Sequence, residues 1–129
     1  MSGLPSTIQI LAVALGSGLG ALARFMLGQL LLRSDSRQPV LATLAVNLSG
    51  CAAAGFLVGA LAPHHDHAVS FLLTGFLGSY TTVSSFSLET LGMWQAGRRR
   101  LAVSYVITSV AGGLALARAG AVLASGGPW

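Results

Sequence analysis

The chain has 129 residues, 53% of them apolar and only 8% charged, with a formal net charge of +4. Soluble domains carry about 25% charged residues, so a chain this poor in charge cannot cover an ordinary water-soluble globule. One bilayer crossing takes about 20 apolar residues, which leaves room for about four crossings in a single transmembrane domain, 1–129, and for no second domain.

The basic residues are all arginine: Arg24, Arg33, Arg37, Arg98, Arg99, Arg100 and Arg118; the acids are Asp35, Asp66 and Glu89. Three arginines form one short run and the others are scattered among apolar residues. That distribution fits membrane flanks and lipid surroundings, and excludes a nucleic-acid face. The single cysteine, Cys51, lies in an apolar segment and reads as a small packing residue.

In chain order, the first apolar run starts at Ile8 and passes through Ala21-Leu22-Ala23, which resembles a signal-cleavage site. No Arg or Lys precedes the run, and it continues to Leu32, so an uncleaved first span is expected. Breaks at Arg33–Pro39, Pro63–His67 and Gly97–Arg100 leave four segments, roughly 6–32, 40–62, 68–96 and 101–124. Backbone groups in hydrocarbon must satisfy one another, and strict alternation is missing, so the expected fold is an all-α membrane protein of four helices on a tight up-and-down path. Gly16 and Gly20, Gly55 and Gly59, and the pair Gly112 and Gly113 stand at intervals that let helix backbones approach closely. These predict an assembled bundle and carry no chemistry.

The third segment differs. Its apolar stretch, 68–78, ends in Ser79-Tyr80-Thr81-Thr82-Val83-Ser84-Ser85-Phe86-Ser87, where seven of nine side chains carry a hydroxyl. Hydroxyls compete for backbone hydrogen bonds, and Gly75 and Gly78 precede the run, so a helix broken near mid-membrane is expected. Irregular backbone survives at that depth only where protein or a watery path surrounds it. A Ser/Thr-rich packing face is the plain alternative.

Further polar groups fall within spans. Asn47 follows Thr43 by one helical turn, as Ser109 follows Tyr105, giving two polar stripes. Glu89 is the one acid inside a span, and reads either as a functional carboxylate or as a helix–helix anchor. Arg24 and Arg118 lie where long side chains snorkel to headgroups, and Arg98–Arg100 reads as a cytoplasmic anchor. His64, His65, Asp66 and His67 have the residue types of a metal site but read better as a hydrated turn.

No nucleophile–base pair, paired carboxylates, phosphate loop or zinc spacing occurs at membrane depth, so an enzyme is not expected. The spans offer donors instead. The Asn47 amide, the hydroxyls of Thr43, Ser84, Ser85, Tyr105 and Ser109, and the positive edge of the Phe86 ring can replace water around a small anion. A cation path would show acid rings or a carbonyl filter.

Gly20-Ala-Leu-Ala-Arg24-Phe25, Val46-Asn47-Leu-Ser-Gly50 and, above all, Gly75-Phe-Leu-Gly-Ser-Tyr-Thr-Thr-Val-Ser-Ser-Phe-Ser-Leu-Glu89 together resemble the CrcB/Fluc fluoride channels over all four segments. The resemblance implies an antiparallel dual-topology dimer in a bacterial inner membrane, exporting fluoride through two pores around a central structural sodium ion. It implies that Gly78 and Thr81 offer backbone carbonyls to the sodium, oxygen ligands that suit a hard cation. Asn47 and Phe86 would stand on the fluoride path with Ser84 and Ser85 beside them. Thr43, Glu89, Tyr105 and Ser109 would form the onward polar track, and Arg24 the vestibule. Two positions depart from the family pattern: Val83 stands where a first phenylalanine is common, and Gly113 where a further hydroxyl would follow Ser109.

Arg33 and Arg37 share one side of a four-span path with Arg98–Arg100, while the opposite loops carry no arginine. Loop arginines set orientation, so these loops are expected in the cytoplasm and both termini outside. A chain so biased would pair with an oppositely oriented homologue, which could supply the missing ring; the alternative is a homodimer in which five arginines fail to fix orientation. Two rival functions remain at this point. A small proton-coupled exporter would want its essential carboxylate in the first span, where there is none; a scaffold subunit would not need the polar stripes.

Overall fold

The computed structural model describes residues 5–34, 39–61 and 66–127, and all regular structure among them is helical. Helix α1 is Thr7–Ser34 and α2 is Pro39–Ala60. Three consecutive pieces, Asp66–Ala68, the π-helix Val69–Leu77 and Gly78–Tyr80, run on as α3 (66–80). Helix α4 is Val83–Gln95 and α5 is Arg99–Ser125. Arg37, His64 and His65, read above as parts of the loops, lie outside the described residues.

Local chemistry sets several of the ends. Ser6 and Gln9 form a reciprocal cap at the start of α1: the Ser6 N–H donates to Gln9 Oε1 at 2.9 Å, and the Gln9 N–H to Ser6 Oγ at 3.2 Å. Pro39 opens α2, where its missing N–H costs no helical bond. Helix α5 ends at Gly126, whose positive φ of 70° lets its N–H donate back to the Val122 carbonyl at 3.0 Å.

Two seams hold the bundle, one between α2 and α5 and one between α1 and the π-helical part of α3. In the first, a Cβ on Gly55 would collide with the Ala117 carbonyl, and one on Gly120 with the Ala52 carbonyl. In the second, Gly16 faces the Phe71 carbonyl and Gly20 the Phe76 carbonyl just as closely. The backbones touch because no side chain stands between them, which is how helices gain dispersion contact where no water remains to be displaced. On α5 the tightest approach is at Gly120, a residue the spacing of Gly112 and Gly113 did not single out. Gly113 is buried against Cys51, and Gly112 packs on Leu48.

Helices α1, α2 and α5 are long and apolar enough to cross a membrane. Their outer faces are apolar, with Leu15 66% and Leu123 78% exposed. Helix α4, with 13 residues, rises about 20 Å at 1.5 Å per residue, short of a hydrocarbon core of about 30 Å.

Candidate functional site

Between α3 and α4 the backbone leaves helical geometry at Thr81 (φ −78°, ψ 159°) and Thr82 (φ −145°, ψ 122°). An interruption strips helix ends of their backbone partners, and α2 supplies replacements. The Asn47 side chain grips Thr82 from both sides: its Nδ2 donates to the Thr82 carbonyl at 2.9 Å, and its Oδ1 accepts the Thr82 N–H at 2.8 Å. Two residues on, Ser49 Oγ is 2.9 Å from the Tyr80 hydroxyl. Gly50 leaves the space into which the Thr81 methyl fits, so Asn47-Leu48-Ser49-Gly50 forms a template for Tyr80-Thr81-Thr82.

Thr82 also starts the next helix. Its Oγ1 accepts the Ser85 N–H at 3.3 Å, an N-cap bond, and lies 3.1 Å from Ser84 Oγ and 3.3 Å from Ser85 Oγ. Ser84 is exposed, and Val83 is 78% exposed. The third expected position at the break, Ser85, is half-buried.

Two turns along α4, Glu89 gathers donors from two other helices. Thr43 Oγ1 of α2 donates to Glu89 Oε1 at 2.7 Å, and the Tyr105 hydroxyl of α5 donates to Oε2, also at 2.7 Å. Such short bonds are the kind a carboxylate forms with hydroxyls, and they offset the cost of removing it from water. Thr43 and Tyr105 are themselves buried. Phe86 packs on Tyr105 with ring centroids 5.2 Å apart and planes tilted by 42°. Glu89 therefore ties α2, α4 and α5 together. The hydroxyl protons of Thr43 and Tyr105, expected from the sequence as open donors, are both directed at it.

One cleft joins some of these groups, while Asn47, Ser84, Phe86 and Tyr105 do not line it. Arg24 of α1 lines it together with Thr43, Thr82, Ser85 and Glu89, the remaining wall being mostly aliphatic. Its volume of about 160 Å³ holds an ion with a few waters at about 30 Å³ each. The cleft thus collects residues separated by more than sixty positions in sequence. Ser109 lies one turn beyond Tyr105 on α5; its Oγ is enclosed and lacks a hydrogen-bond partner among the described residues. An enclosed hydroxyl with spare donor capacity suits a small polar guest.

The carbonyls of Gly78 and Thr81 fit the role of neutral oxygen ligands for a hard cation. The amide that would close on Gly78 in a continuing helix is used elsewhere: the Thr82 N–H donates to Asn47 Oδ1 at 2.8 Å, while the Thr81 N–H makes the last regular bond, to the Leu77 carbonyl at 3.1 Å. The Ser85 N–H, four residues after Thr81, is likewise taken by Thr82 Oγ1. Among the described residues no three of His, Cys, Asp and Glu come together.

Sequence reasoning passed over Thr82, Ser49 and Tyr80. A signal for Thr82 was present: a threonine just before the first apolar residue of a helix is an N-cap pattern. The Ser49–Tyr80 contact joins residues 31 positions apart, and no local rule finds it.

Comparison with known proteins bears on this arrangement. The family described as "CrcB-like protein, Camphor Resistance (CrcB)" matches residues 11–121. The "Fluoride-specific ion channel FluC" of Paracoccus denitrificans is 43% identical over 117 residues, covering 90% of this chain and 94% of that protein. The protein of the same name in Azotobacter vinelandii is 44% identical over 116 residues, covering 88% and 94%. That in Saccharophagus degradans is 41% identical over 121 residues, covering 84% and 85%.

Proposed function

This chain belongs to the CrcB family, and from that membership we propose that it is a fluoride-selective passive channel through which fluoride leaves the cytoplasm across a bacterial inner membrane. The observation that carries the reading is the cleft that gathers Arg24, Thr43, Thr82, Ser85 and Glu89 beside the extended backbone of Thr81 and Thr82. Fluoride is small and holds its water tightly, so a path must replace that water with close hydrogen-bond donors in a nearly dry setting. Hydroxyls do this without adding fixed positive charge that would trap the ion.

Arg24 draws the anion to the mouth by its charge. Ser84 and Ser85 at the break then offer hydroxyl protons, Asn47 its second amide proton, and Phe86 the positive edge of its ring. Thr43, Tyr105 and Ser109 continue the track, the first two turning their protons from Glu89 to the passing ion. Val83 brings no donor to the path. Gly78 and Thr81, with their counterparts in a second subunit, would hold a structural sodium ion by backbone carbonyls, and that ion supplies positive potential near the path. We further propose that α3 and α4 together make the third span, broken near mid-membrane. The assembly is then an antiparallel dimer, of this chain with itself or with an oppositely oriented homologue. The exposure of Gly78 and Val83, both beside the break, supports a partner at that face.

The test is fluoride release, read with a fluoride electrode, from liposomes holding the purified chain alone. The reading predicts flux down the fluoride gradient with no proton gradient. Flux that requires a proton gradient would mean a coupled exporter, and no flux a scaffold subunit or a missing partner chain. Reporter fusions at the C-terminus separate the last two: labelling on both sides of the membrane means self-pairing, and labelling on one side means a partner polypeptide.

A further inference from the structure

We propose that the corner between α4 and α5, formed by Trp94 and Arg98–Arg100, is a binding site for the phosphate headgroup of an anionic phospholipid. Three successive arginines are exposed there, and the Arg99 guanidinium lies over the Trp94 ring at 5.2 Å from its centroid. This cation–π contact restrains the guanidinium while leaving its N–H groups available, and a guanidinium grips phosphate in a bidentate way. Glu89, the one acid with a described side chain, is occupied by Thr43 and Tyr105, so among the described residues no carboxylate answers this cluster. The shape of the corner supplies the rest. A cleft there is lined by Trp94, Arg99, Arg100, Val103 and Ser104, so that charge, a hydroxyl and apolar surface meet in it.

Charge complementarity and position both favour a lipid over a soluble anion. Helix α5 is apolar enough to cross a membrane from Arg99 onward, so the arginines stand at the membrane surface and Trp94, 47% exposed, at the depth where indoles collect. Val103 and Ile107, one turn apart on one face of α5, present exposed apolar surface along which an acyl chain can lie while its phosphate is held above. The backbone N–H groups in the first turn of α5, which no side chain caps, add weaker donors in the same direction. A headgroup held here pins the turn around Gly97, whose φ is 77°, and with it the junction of the two helices that carry Glu89 and Tyr105.

The full chain is tested in mild detergent by titrating phosphatidylglycerol against phosphatidylcholine of the same acyl composition, with retained lipid counted by native mass spectrometry. The proposal predicts retention of phosphatidylglycerol about tenfold or more above phosphatidylcholine, abolished in the triple variant Arg98→Gln/Arg99→Gln/Arg100→Gln. Removing three arginines can disturb insertion, so Trp94→Leu, which leaves every charge in place, is measured beside it and should cut the preference several-fold. Arg118→Gln, an exposed arginine elsewhere on α5, should leave the preference intact. Equal retention of the two lipids would overturn the proposal, as would full retention in both corner variants or a loss in Arg118→Gln as large as in the triple variant. Glycerol 3-phosphate competing as well as the lipid would also overturn it, since the site would then read phosphate without the membrane.

Discussion

The glycine seams and the break between α3 and α4 both bring one helix against the backbone of another, by opposite means. At the seams the contact depends on absent side chains: Gly55 and Gly120 meet carbonyls of the facing helix with no room for a methyl group. At the break the contact depends on side chains that are present, because Asn47 accepts the N–H that Thr82 has withdrawn from the preceding helix and adds a donor to its carbonyl. The first region should fail when atoms are added, and the second when they are removed. In a bilayer both strategies are needed, since apolar burial discriminates poorly between lipid tails and neighbouring helices.

The largest effect is expected at a seam. Gly55→Val should lower stability by about 3 kcal/mol or more, read as thermal unfolding in detergent, because the Ala117 backbone cannot move aside as a flexible side chain would. Gly92→Ala is the control, since a Cβ there meets nothing within 4 Å; it should be neutral or stabilising by up to about 1 kcal/mol. Equal effects at the two glycines would erase the contrast.

At the break, Asn47→Leu should cost about 2 to 3 kcal/mol, because it leaves the N–H of Thr82 unpaired and takes a second donor from its carbonyl. A smaller loss, about 1 to 2 kcal/mol, is expected for Glu89→Gln, which keeps one acceptor for Thr43 or Tyr105 and weakens both bonds. The smallest belongs to Ser49→Ala, about 0.5 to 1 kcal/mol, because it removes a single neutral hydroxyl bond, to Tyr80, at an exposed position. If Ser49→Ala matched Asn47→Leu, the template on α2 would be one cooperative unit instead of a strong clamp with a weak neighbour.

The all-helical architecture was legible because it follows from hydropathy and from the need of backbone groups for partners. Glycine spacing also found the surfaces at Gly16, Gly20 and Gly55, since small residues four apart share a helix face. It missed Gly120, which stands two turns after Gly113 on the same buried face, because only the four-residue spacing was read. The π-helical winding of Val69–Leu77 was not legible either, because no local propensity separates it from an α-helix. For the site, the residue types were legible and their pairings were not. Thr43, Asn47, Glu89 and Tyr105 stood out as polar groups in apolar helices, yet only the fold reveals that Glu89 accepts from Thr43 and Tyr105 and that Asn47 serves Thr82.

The central claim is that fluoride passes the polar cluster at the break. Fluoride-electrode efflux from liposomes carrying Phe86→Ile, compared with wild type and with Gly92→Ala at equal protein and confirmed folding, tests it most directly. The account predicts wild-type flux in Gly92→Ala and a loss of about tenfold or more in Phe86→Ile, a removed ring edge being worth at least about 1.4 kcal/mol to an anion in a dry path. Undiminished flux in folded Phe86→Ile would contradict it.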